Sequence, residues 1–202
     1  MRRLIVALVI ITMPAWSQDH TVVPAKPSLP VPRFDKGVVE GNTYKNASVG
    51  LEFTPDPKLR FGTPELSGKP GTVPLSVTVA AWGEFKPQSA PEGTTFLATA
   101  LAYYPEDQRS TGACMRRLGQ ANRKNGFQMV QDTGQGQLGR VPFARTDFFK
   151  EGPAYEAVFV KACDTQALVF VFTGSGRDTV NRLIAATELK LDLATSGCGA
   201  RH

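Results

Sequence analysis

The chain has 202 residues, 42% of them hydrophobic and 20% charged, with a formal net charge of +5 and three cysteines. That composition is globular and excludes a disordered, collagenous or coiled-coil protein. A chain of this length buries roughly 70% of the surface it exposes when unfolded, so its core requires neither a metal nor dense disulfides.

Met1-Arg2-Arg3 precedes an apolar run from Leu4 to Ile11, and Pro14-Ala15-Trp16-Ser17 follows. A basic start, a short apolar stretch and a small-x-small site predict a secretory signal cleaved after Ser17, hence a secreted or periplasmic protein. The run is too short for a membrane anchor, which needs roughly 20 apolar residues, and no later stretch approaches that length. Removing Arg2 and Arg3 lowers the formal charge from +5 to +3. The pI near 9.2 therefore overstates how basic the exported chain is. No nucleic-acid motif accompanies the charge, and no nucleic-acid partner is expected. Export places Cys114, Cys163 and Cys198 in an oxidising compartment, where one bridge and one spare thiol are expected. Of the three pairings, Cys114 with Cys163 is favoured because both fall inside predicted elements, whereas Cys198 sits between glycines near the end.

Residues 18–37 carry Pro24, Pro27, Pro30 and Pro32 and no apolar periodicity, which predicts an extended, flexible, proline-rich tether. One domain is expected over 38–193, followed by a flexible tail over 194–202. Within the domain Val73, Leu75, Val77 and Val79 alternate with Ser76 and Thr78, the two-residue period of a half-buried strand. A β-rich run follows from Thr94 to Tyr104. Residues 141–150, 154–163 and 167–173 read as three more strands. Their connections, Glu151-Gly152-Pro153 and Asp164-Thr165-Gln166, are too short for anything but antiparallel neighbours. Ala167 to Phe172 is apolar at every position, so both its faces must be covered.

Two amphipathic helices are available as covers. Residues 108–124 place Cys114, Leu118 and Ala121 on one side and Arg109, Arg116, Arg117, Arg123 and Lys124 on the other. Cys114 therefore faces inward, which suits either a bridge or a plain buried thiol. Residues 178–188 recur in apolar character at Val180, Leu183, Ile184 and Thr187. Gly134 to Gly139 reads as a mobile loop. The expected fold is α+β, an antiparallel sheet covered by helices on both faces in an α/β/α sandwich.

Tyr44-Lys45-Asn46-Ala47-Ser48-Val49-Gly50-Leu51-Glu52-Phe53-Thr54-Pro55 resembles the opening of PsbP-like domains. The close of the chain, an apolar strand to Thr173, a helix through Asn181-Arg182-Leu183-Ile184 and then Glu188-Leu189-Lys190-Leu191, is similar to theirs as well. The resemblance spans about Tyr44 to Leu191 in element order. It implies a helix-sandwiched antiparallel sheet, of the kind found in exported bacterial proteins and in extrinsic photosystem subunits. It carries over no metal or chloride site.

The chemistry open to such a domain is narrow. The only histidines, His20 and His202, lie at the two ends, so no fixed imidazole base is expected. The cysteines form no C-x-x-C pair, and neither a metal nor a cofactor is expected. Glu52, Asp147, Glu151 and Glu156 are candidate acid-base carboxylates near strands, and each is expected on a solvated strand edge. Gly174-Ser175-Gly176-Arg177 joins a strand to a helix and offers backbone N–H groups to an anion, although Ser175 or Asp178 as a helix cap explains it more simply. Asn46-Ala47-Ser48 matches a glycosylation sequon. The five cations between Asp107 and Asp132, with no acid among them, suit an anionic surface, an envelope polymer or an acidic protein. The expected function is that of an exported, non-catalytic binding or interaction module of the cell envelope that contacts anionic partners through this helix. The alternatives are a carboxylate-dependent hydrolase of an envelope polymer and an extrinsic subunit of a membrane complex.

Overall fold

The computed structural model describes residues 29–68, 75–83, 91–152 and 154–198, with the backbone alone for Gln131. The predicted signal segment, the first part of the predicted tether, His20 and His202 lie outside the described residues.

In chain order the elements are β1 Val38–Glu40, β2 Thr43–Asn46, β3 Leu51–Thr54, β4 Arg60–Phe61, β5 Glu65–Ser67, β6 Ser76–Trp82 and β7 Gly93–Ala100. There follow α1 Thr111–Lys124, β8 Gln128–Leu138, β9 Val141–Lys150, β10 Ala154–Ala162, β11 Gln166–Gly174, α2 Arg177–Ala185 and β12 Glu188–Leu191. They form two antiparallel sheets. The larger runs β4-β6-β7-β11-β10-β9-β8, with β5 also on β6, and the smaller runs β1-β2-β3-β12. The meander β9-β10-β11 has the antiparallel registers that its short turns require.

β11 is central in the larger sheet, and its two faces feed two cores. Leu168, Phe170 and Phe172 point toward the smaller sheet, where Tyr44, Leu51, Phe53 and Leu189 meet them, with Val180 and Leu183 of α2 alongside. Phe170 packs edge-on against Phe53 with ring centroids 5.4 Å apart and lies 4.9 Å from Phe96. Burying each such ring contributes about 2 kcal/mol. Ala167, Val169 and Val171 point the other way, toward Cys114 and Met115 of α1 and toward Phe127.

The expected sandwich with helices over both faces is not what the chain adopts. Among the described residues strands make up 47% and helix only 17%, with two α-helices, so the fold is β-rich. One face of the larger sheet is covered chiefly by a second sheet, to which the nine-residue α2 is an adjunct. On the other face α1 packs over β8, β9 and β10. Beyond its reach Thr78, Ala80, Thr95 and Thr99 stay partly exposed. The apolar run of β11 did demand two covers, but strands of three or four residues, such as β2, β3 and β12, show too little periodicity to announce a covering sheet.

Both ends of the described chain are held to this body. Phe34 packs on the core beside the smaller sheet. The Asn46 amide donates to the Asp35 carbonyl at 3.0 Å, and the Tyr44 hydroxyl donates to the Lys36 carbonyl at 3.1 Å. The Asn46 side-chain oxygen accepts from Val49 N and from Ser48 Oγ. These bonds dock the final residues of the predicted tether. They also account for the Tyr44-x-Asn46-x-Ser48 pattern, and they leave the sequon asparagine only 1% exposed. At the other end the predicted flexible tail is pinned through Cys198: Cys163 is bonded to Cys198, and Cys114 is free and buried. The favoured Cys114–Cys163 pairing is thus replaced. Cys114 belongs to the core under α1, whereas Asp164 N donates to Gly197 O and Gln166 Nε2 to Ser196 O, which bring the tail to the β10–β11 turn.

Candidate functional site

A polar cluster and a cavity sit together where β8, β9 and β10 meet α2. Alternation along β9 places Arg145 and Asp147 on the face toward α2, and Tyr155 of β10 projects to the same side. Arg145 grips Asp147 bidentately, Nε to Oδ1 at 2.7 Å and Nη2 to Oδ2 at 2.8 Å. The Tyr155 hydroxyl donates to Asp147 Oδ2 at 2.9 Å, and Arg145 Nη2 also donates to Asn181 of α2 at 3.1 Å. Asp147 is fully buried, and with three donors around it the carboxylate is satisfied. Burial and then the bond to Asp147 push the Tyr155 hydroxyl up to about 12, so it stays a donor. Beside this cluster lies an open cavity of about 320 Å³ lined by Val130, Phe149, Tyr155 and Arg177.

The segment Gly174-Ser175-Gly176-Arg177 delivers Arg177 to the first turn of α2. The cap there is Gly176, with no side-chain cap bond, so neither Ser175 nor Asp178 caps the helix; Asp178 lies in the first turn, where an acid suits the helix dipole. Gly174 is required by crowding, since a Cβ there would come within 2.6 Å of the Thr179 methyl. The stretch Gly134 to Gly139, expected as a mobile loop, is instead the end of β8 and its turn into β9. A Cβ at Gly136 would lie 2.7 Å from the Phe159 ring, so the glycine permits close backbone approach.

On the opposite face α1 starts at Ser110, whose Oγ accepts from Ala113 N at 3.1 Å. The five predicted cations separate into two groups. Arg109 Nε donates to the Tyr104 carbonyl at 2.8 Å, and Arg117 donates to the Gln108 carbonyl at 2.7 Å while stacking 4.3 Å over the Tyr104 ring. Arg109, which precedes α1, braces the turn before it, and Arg117 ties that turn to the helix. Arg116, Arg123 and Lys124 are exposed, and Lys150 adds a fourth cation at the end of α1 by donating to the Asn125 carbonyl at 2.8 Å. Arg117 Nη2 lies 3.2 Å from Cys114 Sγ, yet burial raises the thiol above its usual range. That makes Cys114 a poor nucleophile.

The candidate carboxylates are scattered. Glu52 pairs with Lys190 at 3.1 Å and Glu151 lies in an exposed turn. Glu156 is 3% exposed and faces α1, where Asn122 Nδ2 donates to it at 3.2 Å. Burial pushes its carboxyl up to about 7, against smaller lowering effects of Asn122 and Lys150. Asp147 and Glu156 lie on neighbouring strands, but they leave the sheet on opposite faces. Sequence reading missed Arg145, Tyr155, Asn122 and Asn181. Of these only Arg145 carried a signal, because a cation and an acid two apart in a strand share a face.

Among the described residues no group of three or more His, Cys, Asp or Glu is placed to hold a metal, and no helix is long and apolar enough to cross a membrane. No family model, curated protein or solved structure matches the chain.

Proposed function

We propose that the protein is an exported binding or interaction module of the cell envelope that takes an anionic partner on α1 and performs no catalysis of its own. One observation carries the reading: α1 contains no acid, and Arg116, Arg123 and Lys124 are exposed along it, continued by Lys150. Arg116 and Arg123 are seven residues apart, two helical turns, so they share a side. A row of guanidinium and ammonium groups suits phosphate or carboxylate groups spaced along a polymer or surface. The Cys163–Cys198 bond supports export, because such bonds persist in oxidising compartments. The binding reading is preferred to a two-carboxylate hydrolase because Asp147 and Glu156 face apart, and Asp147 is already neutralised by Arg145. Glycoside hydrolysis needs two acids across one substrate bond.

The test is co-sedimentation of the exported protein with vesicles containing an anionic phospholipid. Binding at low salt should fall steeply as ionic strength rises, and the triple variant R116E/R123E/K124E should lose at least tenfold in affinity. Absence of binding at low salt, or binding unchanged in the triple variant, overturns the proposal.

A further inference from the structure

The cavity where β8, β9 and β10 meet α2 is walled by one residue from each: Val130, Phe149, Tyr155 and Arg177. The register puts its three strand residues on one face of the larger sheet. Phe149 and Tyr155 stand directly opposite each other on β9 and β10, so they share a face. Alternation from Gln128, registered with Phe149, returns Val130 to that same face. Beyond Met129 the register steps two residues along β8 for one along β9, so Val130 lies at a bulge, a device that re-aims side chains beside sites. Val130 is 53% exposed at the mouth of the cavity, whereas Phe149 is half-buried within the core edge.

The chemistry of these walls selects a ligand. Val130 and Phe149 offer an aliphatic and an aromatic surface, and a volume of about 320 Å³ lies at the small end of ligand cavities, which run from about 300 to 1,000 Å³. Arg177 is the one ionised side chain of the lining, and it lies close enough to Tyr155 for its charge to oppose the rise of that hydroxyl. Asp147, behind Tyr155, is already matched by Arg145 and does not turn an anion away. Asp178, the next residue of α2, opposes a second negative charge. We propose that the cavity binds a small monocarboxylate with a planar apolar body, its carboxylate on the Arg177 fork and its body against Phe149 and Val130. The site is independent of any anionic partner on α1, which packs on the opposite face of the sheet.

The experiment is residue-resolved NMR of the exported protein, with amide shifts followed as benzoate is added and with acetate and benzamidine as controls. Benzoate should give saturable shifts at Val130, Phe149, Tyr155 and Arg177, with a Kd at or below about 1 mM. Acetate, which lacks the ring, and benzamidine, which carries the opposite charge, should each bind at least tenfold more weakly. R177M, at an exposed position, should weaken benzoate at least tenfold. V130W, which fills the mouth of the cavity, should abolish the saturable shifts and so tests the site even if R177M folds poorly. No saturation by about 10 mM benzoate overturns the inference. So do shifts confined to α1 around Arg116 and Arg123, equal affinity in R177M, or a control that binds as tightly as benzoate.

Discussion

Asp147 and Glu156 are two buried acids on adjacent strands, and the protein treats them in opposite ways. Asp147, on the α2 side, holds a bidentate Arg145 and a Tyr155 hydroxyl. Glu156, on the α1 side, is given one amide hydrogen bond and a more distant Lys150. A buried charge is tolerable when paired and costly when it is not. The first acid is thus an ion held in place, whereas the second escapes the cost by keeping its proton up to about neutral pH. Folding on the α2 side should therefore depend on an ion pair, and folding on the α1 side on pH.

The largest effect is expected from Arg145→Ala, which orphans a fully buried carboxylate and should lower unfolding stability by about 3–5 kcal/mol in urea melts. The double variant R145M/D147L, which removes both charges, should recover most of that loss; a double variant as unstable as R145A would show that packing rather than the ion pair is at stake. Next comes Glu156→Gln. Its folded carboxyl titrates near 7, above the ordinary value of 4.5 for the unfolded chain. The stability linked to this group is present below about pH 4.5 and is lost as pH rises through about 7. The variant should exceed the parent by about 3 kcal/mol at pH 8, with the advantage vanishing near pH 4.5. Equal melting curves for the two proteins at pH 8 would remove Glu156 as the source of pH sensitivity. Smallest is Tyr155→Phe, which deletes one of three donors to Asp147 and should cost about 1 kcal/mol. A loss as large as that of R145A would make the hydroxyl, and not the guanidinium, the main partner.

Much of the larger sheet was legible because its strands are long. The bounds of β9 match the predicted residues, β10 ends one residue early, and β11 extends one residue further at each end. The inward turn of Cys114 followed from helical spacing and holds in the structure. The basic face of α1 was legible as composition, but its division was not. Whether Arg117 lies over Tyr104 or reaches into solvent depends on where the preceding turn folds, which no periodicity reports. The Asp147 cluster was hidden for a similar reason, since Tyr155 reaches it only through the β9–β10 register. The glycines of β8 misled because their composition matches a loop, whereas Gly136 lets the backbone approach Phe159.

Local spacing was sufficient to specify the long strands β9, β10 and β11, the two helices, and that β11 must be sheathed on both sides, because side-chain direction repeats every two or 3.6 residues whatever lies beyond. The identity of the sheath, the partner of Cys163 and the contrast between the two buried acids came only with the folded chain. Each depends on residues far apart in sequence, 35 positions in the case of the disulfide and 34 for Asn122 with Glu156. Contacts at such separations are set by how whole layers pack.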